Sequence, residues 1–236
     1  MSFLNRPVNS YLPVAFPGLK FIAAAGMITG IFFYTGVQWA AIICLLITVF
    51  VCWFFRDPER IFNGPENALI SPADGRIIHA EKVDKGEYVE SDMFKVSIFM
   101  NVFNVHVNRV PFPGTVREIR YTPGKFVNAS FDKASEHNER NAVAVKTENG
   151  TVYKVVQVAG LIARRIVWTI REGDTLRKGD RYGMIRFGSR LDLYLPMDTE
   201  IKVSVGQKVK AGLSVIGLMN ENTGIDARND QSPRTG

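Results

Sequence analysis

The chain has 236 residues, 46% of them apolar, which suits one or two domains with a sizeable core. Its formal net charge is +6, and residues 1–56 hold Arg6, Lys20 and Arg56 with no acid, so half of that excess lies at the N-terminal end. Because no basic run of five or more occurs, an anionic lipid surface is favoured over nucleic acid as the neighbour, and Cys44 and Cys52, both in apolar sequence, leave neither a disulfide framework nor a cysteine-based metal site elsewhere.

Residues 1–20 contain Pro7, Pro13 and Pro17, too many for one helix, and read as an irregular interfacial lead-in. Residues 21–55 contain no charged residue. One helix of that length would rise about 50 Å, against a hydrocarbon core of about 30 Å. The break at Thr35-Gly36-Val37-Gln38 therefore divides the stretch into helices over 21–34 and 37–55, a transmembrane α-helical hairpin. Lys20 precedes it, Arg56 and Arg60 follow it, and the tip has no cation. The positive-inside rule puts both outer ends, and the domain after them, on the cytoplasmic side of the cell (inner) membrane. Tyr34 and Trp39 at the tip and Trp53 at the exit suit interface anchors. A signal peptide has a much shorter apolar region; a re-entrant hairpin that never crosses is the competing reading.

From residue 57 to 220 short apolar runs, many alternating, are separated by Gly, Asp, Asn and Pro, which predicts a mainly β domain. The clearest unit is 142–156, two strands joined at Asn149-Gly150, for which a type I′ hairpin is expected. Further strands are expected over 95–100, 114–121 and 190–195; 161–170 fits a strand or a buried helical turn. A Gly-x-x-apolar-x-x-Gly pattern occurs at 173–179 and again at 206–212, each copy running into a strand, over 184–187 and 213–218. The unit resembles that of lipoyl and biotinyl carrier domains, so a barrel-sandwich-like domain with short helices is expected. The carrier lysine motif is missing. Residues 221–236 are polar and read as a flexible tail.

Three places carry chemically useful side chains. Ser71-Pro72-Ala73-Asp74-Gly75 puts a carboxylate in a tight turn before a strand, which by itself is a common turn sequence. In the segment 101–111, alternation would place Asn104, His106 and Asn108 on one strand face, either a site wall or a solvated face. Gly188-Ser189 falls between two strands. A serine hydroxyl becomes nucleophilic when a base takes its proton, and histidine oriented by a carboxylate is the usual base. Asp74, His106 and Ser189 can supply those roles; His79 and His137 are the other histidines. No His or Cys spacing suits zinc, so no metal is expected.

Taken in order, Phe54-Phe55-Arg56-Asp57-Pro58-Glu59-Arg60, Ser71-Pro72-Ala73-Asp74-Gly75, Asn104-Val105-His106-Val107-Asn108-Arg109, Asn138-Glu139-Arg140-Asn141 and Phe187-Gly188-Ser189-Arg190 resemble the phosphatidylserine decarboxylase family, in its short, archaeal-type branch. The resemblance implies a proenzyme that breaks its backbone between Gly188 and Ser189 and converts Ser189 into a covalent pyruvoyl group. Phosphatidylserine would be decarboxylated to phosphatidylethanolamine through a Schiff base to that group, with His106 as the acid. The two fragments would form a heterodimer, with room for a higher homo-oligomer. Arg109, Arg140 and Arg190 are the expected substrate-binding cations. The longer branch has two histidines spaced His-x-x-His; here His106 matches the first and Arg109 stands at the second, while Arg190 replaces a threonine. Competing readings are a decarboxylase of another aminoacyl phospholipid, a non-enzymatic membrane adaptor with a lipoyl-like domain, and a membrane serine hydrolase, the last disfavoured because no Gly-x-Ser-x-Gly elbow is present.

Overall fold

The computed structural model describes residues 13–86, 91–124, 138–160, 165–186 and 189–220. A 3-10 turn at Phe16–Gly18 leads into α1 (Leu19–Tyr34), which is followed by α2 (Gln38–Phe54). The helices separate at the expected break, where Gly36 takes φ +77°, a conformation costly for any residue with a Cβ. They pack as a hairpin, with the Thr29 and Thr48 hydroxyls 3.0 Å apart between them. Phe16–Tyr34 is long and apolar enough to cross a membrane. Large apolar side chains such as Ile31, Phe33, Leu46 and Trp53 face outward from both helices. The hairpin begins two residues earlier than the sequence implies, and its base is closed by residues 13–15: Ala15 N–H donates to Phe55 O and Asp57 N–H to Pro13 O.

The rest is built of antiparallel strands. An eight-stranded sheet has the order β13 (Lys208–Val209), β2 (Gly75–Val83), β3 (Met93–Met100), β11 (Ser189–Leu195), β7 (Val152–Ala159), β6 (Arg140–Lys146), β5 (Gly114–Thr122) and β9 (Thr175–Leu176). Two three-stranded sheets flank it, β1 (Ala68–Ile70) with β14 (Val215–Leu218) and β12 (Glu200–Ile201), and β4 (Val107–Arg109) with β10 (Arg181–Ile185) and β8 (Ile166–Trp168). The main core lies on the inward face of the large sheet and includes Leu69, Ile77, Ile98, Met100, Leu191 and Leu193.

The two halves repeat each other. β2, β3, β11 and β13 correspond to β5, β6, β7 and β9, and the small sheets correspond strand for strand. β2 bulges after Ile77 and β5 after Val116. Gly206 N–H donates to Ile77 O, just as Gly173 N–H donates to Val116 O. The glycine-spaced repeat is part of this duplication: Gly173, Gly179, Gly206 and Gly212 all have positive φ.

Two local expectations change and one open choice is decided. The loop between β6 and β7 is not the two-residue type I′ turn. Gly150 N–H donates to Thr147 O and Thr147 N–H to Thr151 O, giving a three-residue loop with Gly150 at φ +87°. Asn101–Asn104 is a turn, closed by Asn104 N–H to Asn101 O, so Asn104 does not share a strand face with His106 and Asn108. Of 161–170 the described part contains the strand Ile166–Trp168, while 161–164 lie outside the described residues. None of the described residues after Phe54 is helical, and the lead-in before residue 13 and the tail 221–236 lie outside them.

Candidate active site

Ser189 opens β11, the central strand, with Met100 opposite it on β3 and Ala159 opposite it on β7. It shares the inward face with Leu191 and Leu193 and is fully buried. Met100 Sδ lies 3.9 Å from its hydroxyl, a weak partner. Phe187 and Gly188 lie outside the described residues.

The other motifs reach the same end of the sheet. Gly75 starts β2 beside the end of β3, and a Cβ there would come 2.2 Å from Phe99 O, so only glycine permits the close approach. Asp74 is thereby fixed at the strand's mouth. Asn138 Nδ2 donates to Ala159 O at 2.7 Å, and Ala159 N–H donates to Glu139 O. The Asn101–Asn104 turn follows Met100 and carries the chain to His106.

His106 is fully buried, and among the described residues neither ring nitrogen makes a well-formed hydrogen bond. Its ring lies 4.2 Å from that of Phe54, at the end of α2. Burial pushes its pKa down to about 4; the Arg56 charge adds to this, and the Asn104 backbone and the Asp74 carboxylate oppose it. The group is therefore a neutral imidazole near pH 7, with a free lone pair.

Asp74 is not bonded to His106. Arg60 grips its two oxygens at 2.5 and 2.9 Å, and Ala211 N–H donates to it at 2.7 Å. The carboxylate reaches the histidine only through its field. The proposed triad members therefore share one end of the sheet without forming a continuous hydrogen-bonded chain.

The three arginines expected at the substrate entrance are all buried. Arg109 is buried, pairs with Asp57 and donates to the Pro58 and Gly179 carbonyls. Arg190 pairs with Asp192 at 2.8 and 2.9 Å, wholly buried on the face of β11 opposite to Ser189. Arg140 shares that face, because Arg140 and Arg190 are both register partners of Val158. Charge alone does not reveal that a cation already has its partner within the fold.

Several residues of the site carried no assigned role. Gln157 Nε2 donates to Asn108 Oδ1 at 2.8 Å and Asn141 Nδ2 to Gln157 Oε1 at 3.1 Å, a buried amide row running from Met100 under the sheet. Its signal was legible in principle: Gln157 is a lone polar side chain in the inward phase of an apolar strand. Arg56 donates to Phe103 O at 2.7 Å and to Trp53 O, tying the end of α2 to the turn before His106. Asp57 pairs with Arg181 at 2.7 Å and Glu59 with Arg181 at 2.8 Å. The segment after the hairpin thus clamps the apolar helices to the site.

The fold and site together define a class: a duplicated β domain docked on an apolar helical hairpin, with a buried serine opening a central strand and a buried, neutral histidine at the helix end. The family model for phosphatidylserine decarboxylase matches residues 47–217. The chain is 51% identical to a phosphatidylserine decarboxylase proenzyme of Syntrophus aciditrophicus over 86% of its length and 96% of the relative's. It is 50% identical to the proenzyme of that name from Desulfotalea psychrophila, over 87% and 96% of the two chains. With the corresponding proenzyme of Ralstonia nicotianae it shares 54% identity over 74% and 81%. The chain belongs to the phosphatidylserine decarboxylase family.

Proposed function

We propose that the chain is a proenzyme that cuts itself between Gly188 and Ser189 and then decarboxylates phosphatidylserine to phosphatidylethanolamine at the membrane surface. The observation that carries this reading is a buried serine at the mouth of β11 and a buried, neutral His106 at the end of the apolar hairpin, both at the same end of the sheet. His106 is in the state needed to accept the Ser189 proton as Oγ attacks the Gly188 carbonyl carbon. The peptide bond becomes an ester; loss of an α-proton expels the Gly188 carboxylate and leaves dehydroalanine at 189, which water converts to a ketone with release of ammonia.

Residue 189 fits a pyruvoyl group, because β3 and β7 hold its backbone from both sides and among the described residues its hydroxyl meets only a weak sulfur partner. When formed, that group supplies a carbonyl that condenses with the substrate amine and draws off the electrons released with CO₂. His106 takes a proton from the substrate ammonium as that amine becomes nucleophilic and returns one to the product carbon. Asp74, held by Arg60, favours the charged form of His106, and the amide row from Asn108 keeps Met100 against residue 189. The small fragment stays bound, because β11 is hydrogen-bonded between two strands of the large one.

Both ends of the hairpin meet the domain and its apolar sides face outward, which supports a bilayer anchor with the domain on the side of Lys20 and Arg56, the cytoplasmic side. The test is a denaturing gel of purified protein alongside CO₂ release from phosphatidylserine in mixed micelles. Wild type should give two chains and CO₂, and Ser189→Ala one chain and none. CO₂ release by Ser189→Ala would overturn the reading.

A further inference from the structure

A groove of about 750 Å³ lies between the start of α1 and the end of β10. Its walls are apolar, with Phe16, Leu19, Ile166 and Trp168 prominent, and three cations line it: Lys20, Arg165 and Arg186. Arg186 Nε is buried and has no hydrogen-bond partner among the described residues. Its guanidinium lies 5.5 Å from the Phe21 ring, and Lys20 approaches the same ring at 5.2 Å. The carboxylate that acts on Arg186, that of Glu139, is already occupied by the Tyr121 hydroxyl and the Ile166 N–H. A half-buried guanidinium with no bonded anion among the described residues, beside two more cations and an apolar wall, has the chemistry of a site for an anion attached to a hydrocarbon chain.

The groove's position fixes its relation to the reaction. Arg186 precedes Ser189 by three residues, at most about 10 Å of extended chain. Ile185 N–H, one residue before Arg186, donates to His106 O. Phe21 stacks on Phe55 at 5.5 Å, Phe55 meets Phe54 edge-on at 5.0 Å, and Phe54 covers His106. One aromatic row therefore runs from Phe21, the ring against which the groove's Arg186 and Lys20 lie, to the histidine. A serine headgroup separates its amine from its phosphate by only a few bonds, so a phosphate at Arg186 leaves the amine near residue 189.

We infer that this groove is the phospholipid subsite: Arg186, with Arg165 and Lys20, binds the phosphodiester of the substrate, and Phe16, Leu19 and Trp168 receive the adjoining glycerol and acyl chain. This rests on the reading above that the substrate is a phospholipid, and it gives the phosphate contact to residues other than Arg109, Arg140 and Arg190. It also separates a built site from general attraction to an anionic surface, which would act on a vesicle and not on one zwitterionic lipid.

The test uses the full-length, self-processed protein in neutral detergent and dioctanoyl-phosphatidylethanolamine, the reaction's product class, as the binding probe. Arg186→Ala should weaken binding tenfold or more, Arg165→Ala about threefold, and the exposed-loop control Arg177→Ala not at all, with self-cleavage unchanged in all three. In turnover, Arg186→Ala should raise the KM for dioctanoyl-phosphatidylserine while leaving that for phosphate-free O-octanoylserine within twofold. Equal loss on both substrates, or unaltered phosphatidylethanolamine binding in Arg186→Ala, would overturn the subsite. If Arg186→Ala impairs processing, Arg186→Lys gives the same comparison in a milder form, with binding between the two. Arginine-dependent binding without CO₂ release from phosphatidylserine would sink the decarboxylase reading and leave the subsite standing.

Discussion

At the scale of single residues, the state of His106 sets the pH behaviour. Because its folded pKa is about 4, the neutral base is already present at neutral pH. Self-cleavage should be nearly independent of pH from 6 to 8 and should fall only as pH drops towards 4; a rate that rises with a midpoint near 6.5 would show an unperturbed imidazole. The same shift affects stability. The unfolded chain binds a proton near pH 6.5 that the folded one refuses until about 4, so stability is constant above that window and falls as pH drops through it. The loss totals roughly 3 kcal/mol. Acid melting of His106→Phe should lack this component and the variant should stay uncut. Arg60 is the second decisive residue. Its removal leaves the buried Asp74 carboxylate with Ala211 N–H as its remaining donor, so Arg60→Ala should cost about 3 kcal/mol in denaturant titration and slow cleavage, with Arg60→Lys in between. Ser189 and His106 were legible in the sequence because each is a polar group set among apolar strands. Asp74's partnership was not: its ligands come from positions 60 and 211, joined only by the fold.

At the scale of elements, the hairpin and the central strand do different work. The hairpin's helices and their break follow directly from 35 uncharged residues interrupted at Gly36. What the sequence did not disclose is that α2 ends on the histidine, with Phe54 and Phe55 buried against Val105, Val107 and Met184. Phe54→Ala should therefore do more than loosen the anchor. It uncovers His106 to water, raises its pKa towards 6.5, and should move the acid limb of the cleavage profile upward, which a pH series on that variant would record. β11 is flanked by β3 over seven residue pairs and by β7 over six. Cleavage before its first residue leaves this pairing intact, so the two fragments should co-purify under native conditions and separate only on denaturation.

For the molecule as a whole, duplication explains the architecture and asymmetry explains the chemistry. The two halves match down to their bulges, yet Gly75 follows Asp74 in one and Gly114 follows Pro113 in the other, so only one half offers a carboxylate at the strand mouth. Likewise Ser189 and Val152 open corresponding strands. The glycine repeat announced part of this symmetry, but strand pairings that join residues 75–100 to 189–209 have no local signature. The hairpin base, the histidine and the strand mouth converge, so that under the proposed anchoring a lipid need not leave the bilayer surface to reach the reacting carbon. In the proposed reaction Ser189 is consumed to make the reacting carbonyl. Intact mass of the small fragment tests it most directly: residues 189–236 should weigh one ammonia less than a fragment beginning with free serine. An uncut chain, or a fragment carrying a serine amine at its N-terminus, would contradict it.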